Sequence, residues 1–325
     1  MPEATASLLK VRDLRVWFPI RKGILNRVVG QVRAVDGVSL AIQAGETLGL
    51  VGESGCGKTT LGRALMGLER PAGGRIVFNG QDLGTLAGQA RRQLRRHCQM
   101  IFQDPFSSLN PRMTVQELVT EGLAHHRLLQ GRTRAEAARE LLAAVGMDAD
   151  CLFRYPHEFS GGQRQRLSIA RALSLQPHFL VCDEPVSALD VSVQAQVINL
   201  LLDLREQHEL AYLFISHDLS VVRLMAQRVA VMYLGKIVEC GATAAVMEEA
   251  RHPYTQALLS AVPRPGRNND QRIILTGDLP SPAAPPAGCP FHPRCPQALP
   301  VCARLAPPVH TLASGHTWTC HRPES

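Results

Sequence analysis

Short apolar runs that close on glycine or acidic residues alternate along this chain with longer stretches whose apolar positions recur every three or four residues, which is the pattern of strands feeding helices. Leu48, Leu50 and Val51 read as a buried parallel strand, and Leu61, Ala64, Leu65 and Leu68 follow at helical spacing. The connection between them is Gly52-Glu53-Ser54-Gly55-Cys56-Gly57-Lys58-Thr59-Thr60. Ahead of it, residues 8 to 18 and 31 to 51 alternate or run apolar between turn signals such as Asp36-Gly37 and Ala44-Gly45, which predicts β-hairpins. The basic stretch from Arg21 to Gly30 predicts a solvated surface loop. Behind the connection, Arg75 to Gly80 predicts a short strand, and Met100-Ile101-Phe102 runs into Gln103.

From about Thr114 to Leu175 the period turns helical. Val115, Leu118, Val119 and Leu123 share one face, and Thr133 with Glu136 forms a capping box ahead of a helix that Gly146 ends. Ser160 caps a further helix, followed by Leu167, Ile169, Ala170 and Leu173. Two more apolar strands then close on polar groups: Phe179 to Cys182 on Asp183-Glu184, and Tyr212 to Ile215 on Ser216-His217-Asp218. This arrangement predicts an α/β fold with β-rich parts on either side of an inserted helical region.

Composition narrows the partners. At 325 residues with 45% hydrophobic content the chain is long and apolar enough for a large domain plus a smaller one. The net charge of +7 is spread along the sequence, mostly as arginine, with few aromatics to stack bases, so nucleic acid is not expected as a partner. No apolar run reaches the length of a membrane span and no basic-then-apolar leader opens the chain, which predicts a cytoplasmic protein able to sit on a membrane partner.

The chemistry concentrates at the first connection, which carries the pattern GxxxxGK[ST]. A triphosphate needs many donors at short range, and Gly52, Gly55 and Gly57 let successive backbone N–H groups converge on it. The helix N-terminus adds its dipole, Lys58 bridges β- and γ-phosphates, and the Thr59 hydroxyl is placed to ligate Mg²⁺, while Thr60 packs or caps. In a parallel sheet Asp183 and Glu184 stand at the carboxyl edge, where Asp183 holds Mg²⁺ and Glu184 orients and deprotonates water. His217 repeats that placement, which puts it within reach of the γ-phosphate, with a purely structural histidine as the alternative. The entrance Ser160-Gly161-Gly162-Gln163 is a second anion site by the same dipole argument, with a merely capped helix as its bland alternative. Phe18, with Trp17 as competitor, offers a flat ring for adenine.

In this order and spacing, GESGCGKT, Gln103, FSGGQ, FLVCDEP, SALD and Ser216-His217-Asp218 resemble the ATP-binding subunits of ABC transporters over about residues 8 to 262. The resemblance implies an ABC-type P-loop ATPase core with an antiparallel β-subdomain and an inserted helical subdomain at about 104–176. It also implies that two cassettes sandwich ATP head-to-tail. Glu53, Ser54 and Cys56 then belong to the nucleotide site, Gln103 touches Mg²⁺ and water and reports to the membrane subunits, and Asp190 connects the two sites. Phe18 stands where the family usually has an adenine-stacking Tyr.

His252 to Pro263 and Gly277 to Pro282 look like the oligopeptide and dipeptide importers, and Phe18 to Gly23 with Ala34 to Gly37 look like the second of their two nonidentical ATPases. The implied function is ATP hydrolysis that powers peptide import, with a second ATPase subunit (a heterodimer), two membrane permeases and, indirectly, a substrate-binding protein as partners at the cytoplasmic face of the membrane. Nickel or glutathione is the rival cargo. The rival classes are a soluble ABC ATPase and a nucleotide-switched iron–sulfur sensor.

Residues 1–262 are thus expected to form the nucleotide-binding domain and 263–325 an extension. In the extension a proline-rich linker at 280–287 leads to a small Cys-rich module. Cys289, Cys295, Cys302 and Cys320 are separated by five, six and seventeen residues, wider than the paired cysteines of zinc ribbons. Four thiolates so spaced suit a [4Fe–4S] cluster, and GCPFHPRCP resembles the cluster-binding tail of some peptide-importer ATPases. Zn²⁺ held with help from His292, His316 or His321 is the alternative. The module is expected to have a structural or docking role and no direct part in hydrolysis.

Overall fold

The structure is a computed structural model and describes residues 7–24, 26–262 and 273–322. The predicted boundary at 262/263 abuts residues outside that set, and Pro263 of the importer-like motif lies among them. In chain order the strands are β1 (Leu9–Lys22), β2 (Arg27–Ile42), β3 (Thr47–Val51), β4 (Gly73–Phe78), β5 (Gln81–Asp82), β6 (Cys98–Ile101), β7 (Phe179–Asp183), β8 (Ala211–Ile215), β9 (Arg228–Tyr233), β10 (Lys236–Ala242), β11 (Val309–Thr311) and β12 (Thr317–Thr319). The helices are α1 (Lys58–Leu65), α2 (Gly88–His97), α3 (Pro105–Ser108), α4 (Val115–His125), α5 (Arg134–Ala144), α6 (Gly161–Leu173), α7 (Val191–His208), α8 (Leu219–Met225), α9 (Thr243–Glu248) and α10 (Pro253–Ser260). No helix among the described residues is long and apolar enough to cross a membrane.

The chain divides into two compact units. The first comprises residues 1–43, 47–84 and 216–325. It holds an antiparallel sheet in the order β2-β1-β4-β5, and the strands β11-β12-β10-β9-β3, in which β3 and β9 run parallel. Every residue of β3 is buried, as its unbroken apolar run requires. The hairpin of β1 and β2 is longer than the sequence predicts. Arg21 pairs with Val28 and Lys22 with Arg27, so the stretch expected to be a basic loop is mostly paired strand. Its side chains are largely exposed on both strands, and backbone pairing holds it without the alternation that reveals a half-buried strand.

The second unit comprises residues 44–46 and 85–215 and contains the parallel strands β8-β7-β6 with α2 to α7. Strands β7 and β8 are buried throughout. Its helices start where the side chains dictate. Thr114 and Glu117, Thr133 and Glu136, and Ser160 and Gln163 each form a reciprocal capping box, satisfying backbone donors that the first turn leaves open. The α4 residues Val115, Leu118, Val119 and Leu123 are all buried, as predicted.

The tail departs most from expectation. It is not a separate module on a tether. β12 pairs with β10, placing Trp318 opposite Glu239, and Phe291, 1% exposed, packs at ring-centroid distances of 5.2 Å from Tyr233 and 5.4 Å from Tyr254. Phe291 and Trp318 are thus spent on the core of the first unit, while Leu305, Val309 and Leu312 stay exposed. The proline-rich linker is held too, with the N–H of Arg33 in β2 donating to the Pro282 carbonyl at 2.9 Å.

Candidate functional site

The loop between β3 and α1 has the backbone of an anion cradle. Gly55 and Gly57 have φ of 80° and 109°, a region that side chains other than glycine's rarely adopt. A Cβ at Gly57 would lie 2.0 Å from the Ala34 carbonyl oxygen, and one at Gly52 would lie 2.2 Å from that of Met232, so no larger residue fits either position. Lys58, the first residue of α1, is 5% exposed, and its Nζ donates to the carbonyls of Gly52 at 2.8 Å and Glu53 at 2.9 Å. The ammonium is held inside the loop by backbone carbonyl dipoles. Ser54 and Thr59 are exposed and Thr60 is half-buried. Cys56 lies buried beneath the loop, where burial raises its thiol pKa although the Lys58 charge works the other way.

Phe18 and Trp17 point to opposite faces of β1, and they differ in what surrounds them. The Trp17 Nε1 donates to Asp36 at 3.3 Å, and the guanidinium carbons of Arg33 and Arg15 lie 5.3 Å and 6.0 Å from its ring centroid. Phe18 remains 37% exposed. His217 is exposed after β8 and directly precedes Asp218, the cap of α8.

In the second unit the carboxylates lie at the end of β7, as the sequence predicts. Asp183 is 2% exposed. Glu184 turns out of the strand with φ of 46°, a conformation that is strained for a side chain of its kind, and its Oε2 accepts from the Gln103 amide at 3.0 Å. Two residues 81 positions apart are therefore brought together at one carboxylate. The entrance to α6 is also formed: Ser160 Oγ accepts from the Gln163 N–H at 3.3 Å, and Gln163 Oε1 accepts from the Ser160 N–H at 3.0 Å. Ser160 and Gly161 are exposed. Gly162 is buried, and a Cβ there would meet Val193 of α7 at 2.3 Å. Asp190 is exposed at the N-cap of α7, where its side chain makes no cap hydrogen bond.

Cys289, Cys295, Cys302 and Cys320 all line one small cavity of the first unit, together with His252, His292 and His321. Backbone N–H groups of Leu299 and Arg322 donate to the sulfurs of Cys302 and Cys320, each at 3.4 Å. Burial pushes the Cys289 thiol up to about 11 and raises that of Cys295, while the N–H groups of Phe291 and Gln297 pull each the other way. Cys302 and Cys320 thus each accept from a backbone N–H. Among the described residues no group of three or more metal-ligating side chains converges closely enough for a single ion. His316 is not at this cavity. It is buried and paired with Glu239 at 2.8 Å, so it does not serve the zinc alternative.

Sequence reasoning missed two groups at the phosphate loop. The Tyr254 hydroxyl accepts from the Glu53 N–H at 2.9 Å, and the Arg294 guanidinium donates to both Glu53 carboxylate oxygens at 3.1 Å and 2.9 Å. Arg294 sits between two cysteines in GCPFHPRCP, 241 positions from its partner, and no local pattern announces the contact.

Comparison with known proteins gives the same outline. The family model described as ABC transporter matches residues 35–187, and that described as Oligopeptide/dipeptide transporter, C-terminal region, matches residues 238–302. The oligopeptide transport ATP-binding protein AppF of Bacillus subtilis is 53% identical over 97% of this chain and 97% of its own length. A putative peptide import ATP-binding protein of Brucella ovis is 49% identical over 97% of this chain and 98% of its own. Among solved structures, cbiO1 of Clostridium perfringens, part of the ABC transporter complex cbiONQ, aligns with a TM-score of 0.64 at 26% identity, over 75% of this chain and 91% of its own. The ATP-binding cassette MJ0796, in a dimeric post-hydrolysis state bound to ADP and Pi, aligns with a TM-score of 0.63 at 25% identity, over 72% of this chain and 98% of its own.

Proposed function

The chain belongs to the oligopeptide and dipeptide branch of the ABC transporter ATP-binding proteins, and from that premise we propose that it hydrolyses ATP to power peptide import through two membrane permease subunits. The observation that carries the ATPase reading is the glycine-built loop that encloses the buried Lys58. The peptide cargo rests on relatives that share about half of their residues with nearly the whole chain.

In this reading the loop residues Gly52 to Thr60 hold the triphosphate, with Lys58 on its β- and γ-oxygens and Phe18 stacked on adenine. Thr59, Gln103 and Asp183 offer the hard oxygen donors that Mg²⁺ takes. When bound, the ion neutralises charge on the phosphate oxygens. Glu184, held by the Gln103 amide, takes a proton from the attacking water, and His217 contacts the γ-phosphate. Ser160, Gly161, Gly162 and Gln163 face the nucleotide of a second cassette, with Asp190 linking the two sites. The dimeric state of MJ0796 supports that arrangement. We take the second cassette to be a nonidentical ATPase and place the assembly at the cytoplasmic face of the membrane. The nucleotide-binding domain is assigned to 1–262, with its helical subdomain at about 104–176, and the extension to 263–325.

The test is reconstitution with the cognate permeases and second ATPase in proteoliposomes. ATP-dependent uptake of labelled peptides is expected, and uptake of nickel or glutathione in their place would reassign the cargo. The chain alone is expected to turn over far more slowly than the complex.

A second reading concerns the tail. Four cysteines line one cavity and supply the four sulfur donors that a [4Fe–4S] cluster takes, which is the reading we propose, with zinc as the alternative. That space measures only about 20 Å³, so the side chains must swing outward to admit a cluster. Anaerobic purification with iron, sulfide and zinc analysis decides the matter: iron and sulfide are expected, and stoichiometric zinc would reverse the assignment.

A further inference from the structure

Glu53 lies inside the loop assigned to the triphosphate, and its negative charge is unfavourable beside phosphate oxygens. The fold answers it from the tail. Arg294, with its side chain 9% exposed, reaches both Glu53 carboxylate oxygens, and the carboxylate is itself 28% exposed. Both contacts come from one guanidinium nitrogen, Nη1, which spans the carboxylate in a charge-assisted hydrogen bond. The guanidinium carbon lies 6.0 Å from the centroid of the Tyr233 ring, and Tyr233 packs edge-on against Phe291, three residues before Arg294. Tyr254, packed against the same Phe291, accepts the Glu53 N–H. Leu279 lies over the next turn of the loop, 3.9 Å from where a Cβ on Gly55 would sit. Glu53 is therefore held through its side chain by Arg294, which lies between Cys289 and Cys295 in the tail, and through its backbone by Tyr254 of α10.

We propose that Arg294 is a positioning residue for the nucleotide site: it fixes and neutralises the Glu53 carboxylate, so that the phosphate loop meets the triphosphate without an uncompensated negative charge. This rests on the reading of the loop as the ATP site and extends it to a part of the chain expected to take no part in the chemistry. A residue that only tethered the tail would affect folding. One that compensates Glu53 affects nucleotide affinity, and does so only while Glu53 is charged.

The experiment measures binding of the fluorescent analogue mant-ATP with Mg²⁺ to the full chain, and KM and kcat for ATP in the assembled complex. The variants are Arg294→Gln, Arg294→Lys, Glu53→Gln, the double Arg294→Gln/Glu53→Gln, and Lys58→Ala. Arg294→Gln is expected to weaken binding and raise KM about ten-fold, in the range for loss of a hydrogen bond between charged groups, with kcat changed much less. Arg294→Lys keeps the charge and recovers most of the affinity. In the background of Glu53→Gln the Arg294→Gln change has no further effect, so the double variant binds as Glu53→Gln alone does, because the charge that needed compensation is gone.

Unchanged binding in Arg294→Gln would overturn the proposal. If Arg294→Gln does not fold, Arg294→Lys and the double variant still decide it. Affinity in the double variant far below that of Glu53→Gln alone overturns the proposal, and equal affinity supports it. Loss of binding in Lys58→Ala with Arg294→Gln unmoved overturns this inference alone, whereas full binding in Lys58→Ala overturns the nucleotide-site reading beneath it.

Discussion

The phosphate loop and the entrance to α6 are both helix starts rich in glycine, yet the first encloses a buried ammonium while the second ends in an exposed serine and glycine. The loop brings its own cation, and the rest of its unit closes around it: carbonyls of Ala34 and Met232 stand where any Cβ would go, and Tyr254 and Arg294 hold Glu53. The α6 entrance brings no charge. Its Ser160 and Gln163 satisfy one another, and Gly162 is pinned against Val193. A site of the first kind binds an anion by itself. One of the second kind has only a helix dipole and a few donors to offer, which gain strength once a nucleotide already held elsewhere is pressed on them in a water-poor interface. The two sites lie in different units of the chain, and under the proposed function they have different duties: the loop binds and the α6 entrance licenses turnover.

The largest effect should come from separating binding from chemistry. Glu184→Gln keeps the size of the side chain and its bond to Gln103 but removes the base, so turnover of the complex should fall about a hundred-fold while nucleotide affinity stays. A closed dimer with trapped ATP is then expected in size-exclusion chromatography. Near-normal turnover at saturating ATP would remove Glu184 from the mechanism and leave the loop as a binding site without a partner base.

A smaller effect sharpens the same contrast from the other side. Gly162→Ala puts a methyl group 2.3 Å from Val193 Cγ1, and relieving that overlap moves the start of α6. Overpacking of this kind costs about 1–3 kcal/mol. If the shift is felt at the interface, turnover of the complex falls about ten- to a hundred-fold, while mant-ATP binding to the isolated chain is unchanged. Weakened binding in the isolated chain would show that the α6 entrance serves the nucleotide of its own loop, contrary to the division of labour above.

What the sequence disclosed follows from the same physics. The loop, the β7 carboxylates and the capping boxes are local: their residue types and spacings are fixed by a turn, a strand end or a first helical turn, so they are legible in a few consecutive positions. Gln103 was marked as a site residue only through family resemblance, and its hydrogen bond to Glu184 was not legible in the sequence, since the two lie 81 positions apart. Arg294 was hidden for a stronger reason. Its partner is far away in sequence, its neighbours are cysteines and prolines that draw attention to metal chemistry, and the pairing exists only because Phe291 and Trp318 commit the tail to the first unit. The β1–β2 extension escaped because a hairpin exposed on both faces has no apolar rhythm to read.

The smallest effect tests whether the α6 entrance is more than a capped helix. Ser160 and Thr133 are capping residues of the same design, with their oxygens accepting from the N3 N–H at 3.3 Å and 3.2 Å and a reciprocal Gln163 or Glu136 in each box. Replacing either with Ala should therefore cost the same stability, about 1 kcal/mol, seen as a shift of a few degrees or less in the melting temperature. The two should part in activity. Thr133 heads α5, whose next residues are Arg134 and Ala135, and the proposed assembly brings no nucleotide to it, so Thr133→Ala leaves turnover of the complex unchanged. Ser160 heads a helix whose next two residues are glycines, and in the proposed assembly its hydroxyl donates to the γ-phosphate bound by the other cassette. Loss of that hydrogen bond to a charged group should lower turnover about ten-fold with no change in mant-ATP binding to the single chain. The matched stability loss cancels the capping contribution, so the difference in turnover between the two variants isolates the contact with phosphate. Equal turnover in the two variants would reduce the α6 entrance to a cap and leave the phosphate loop as the chain's one anion site of the pair.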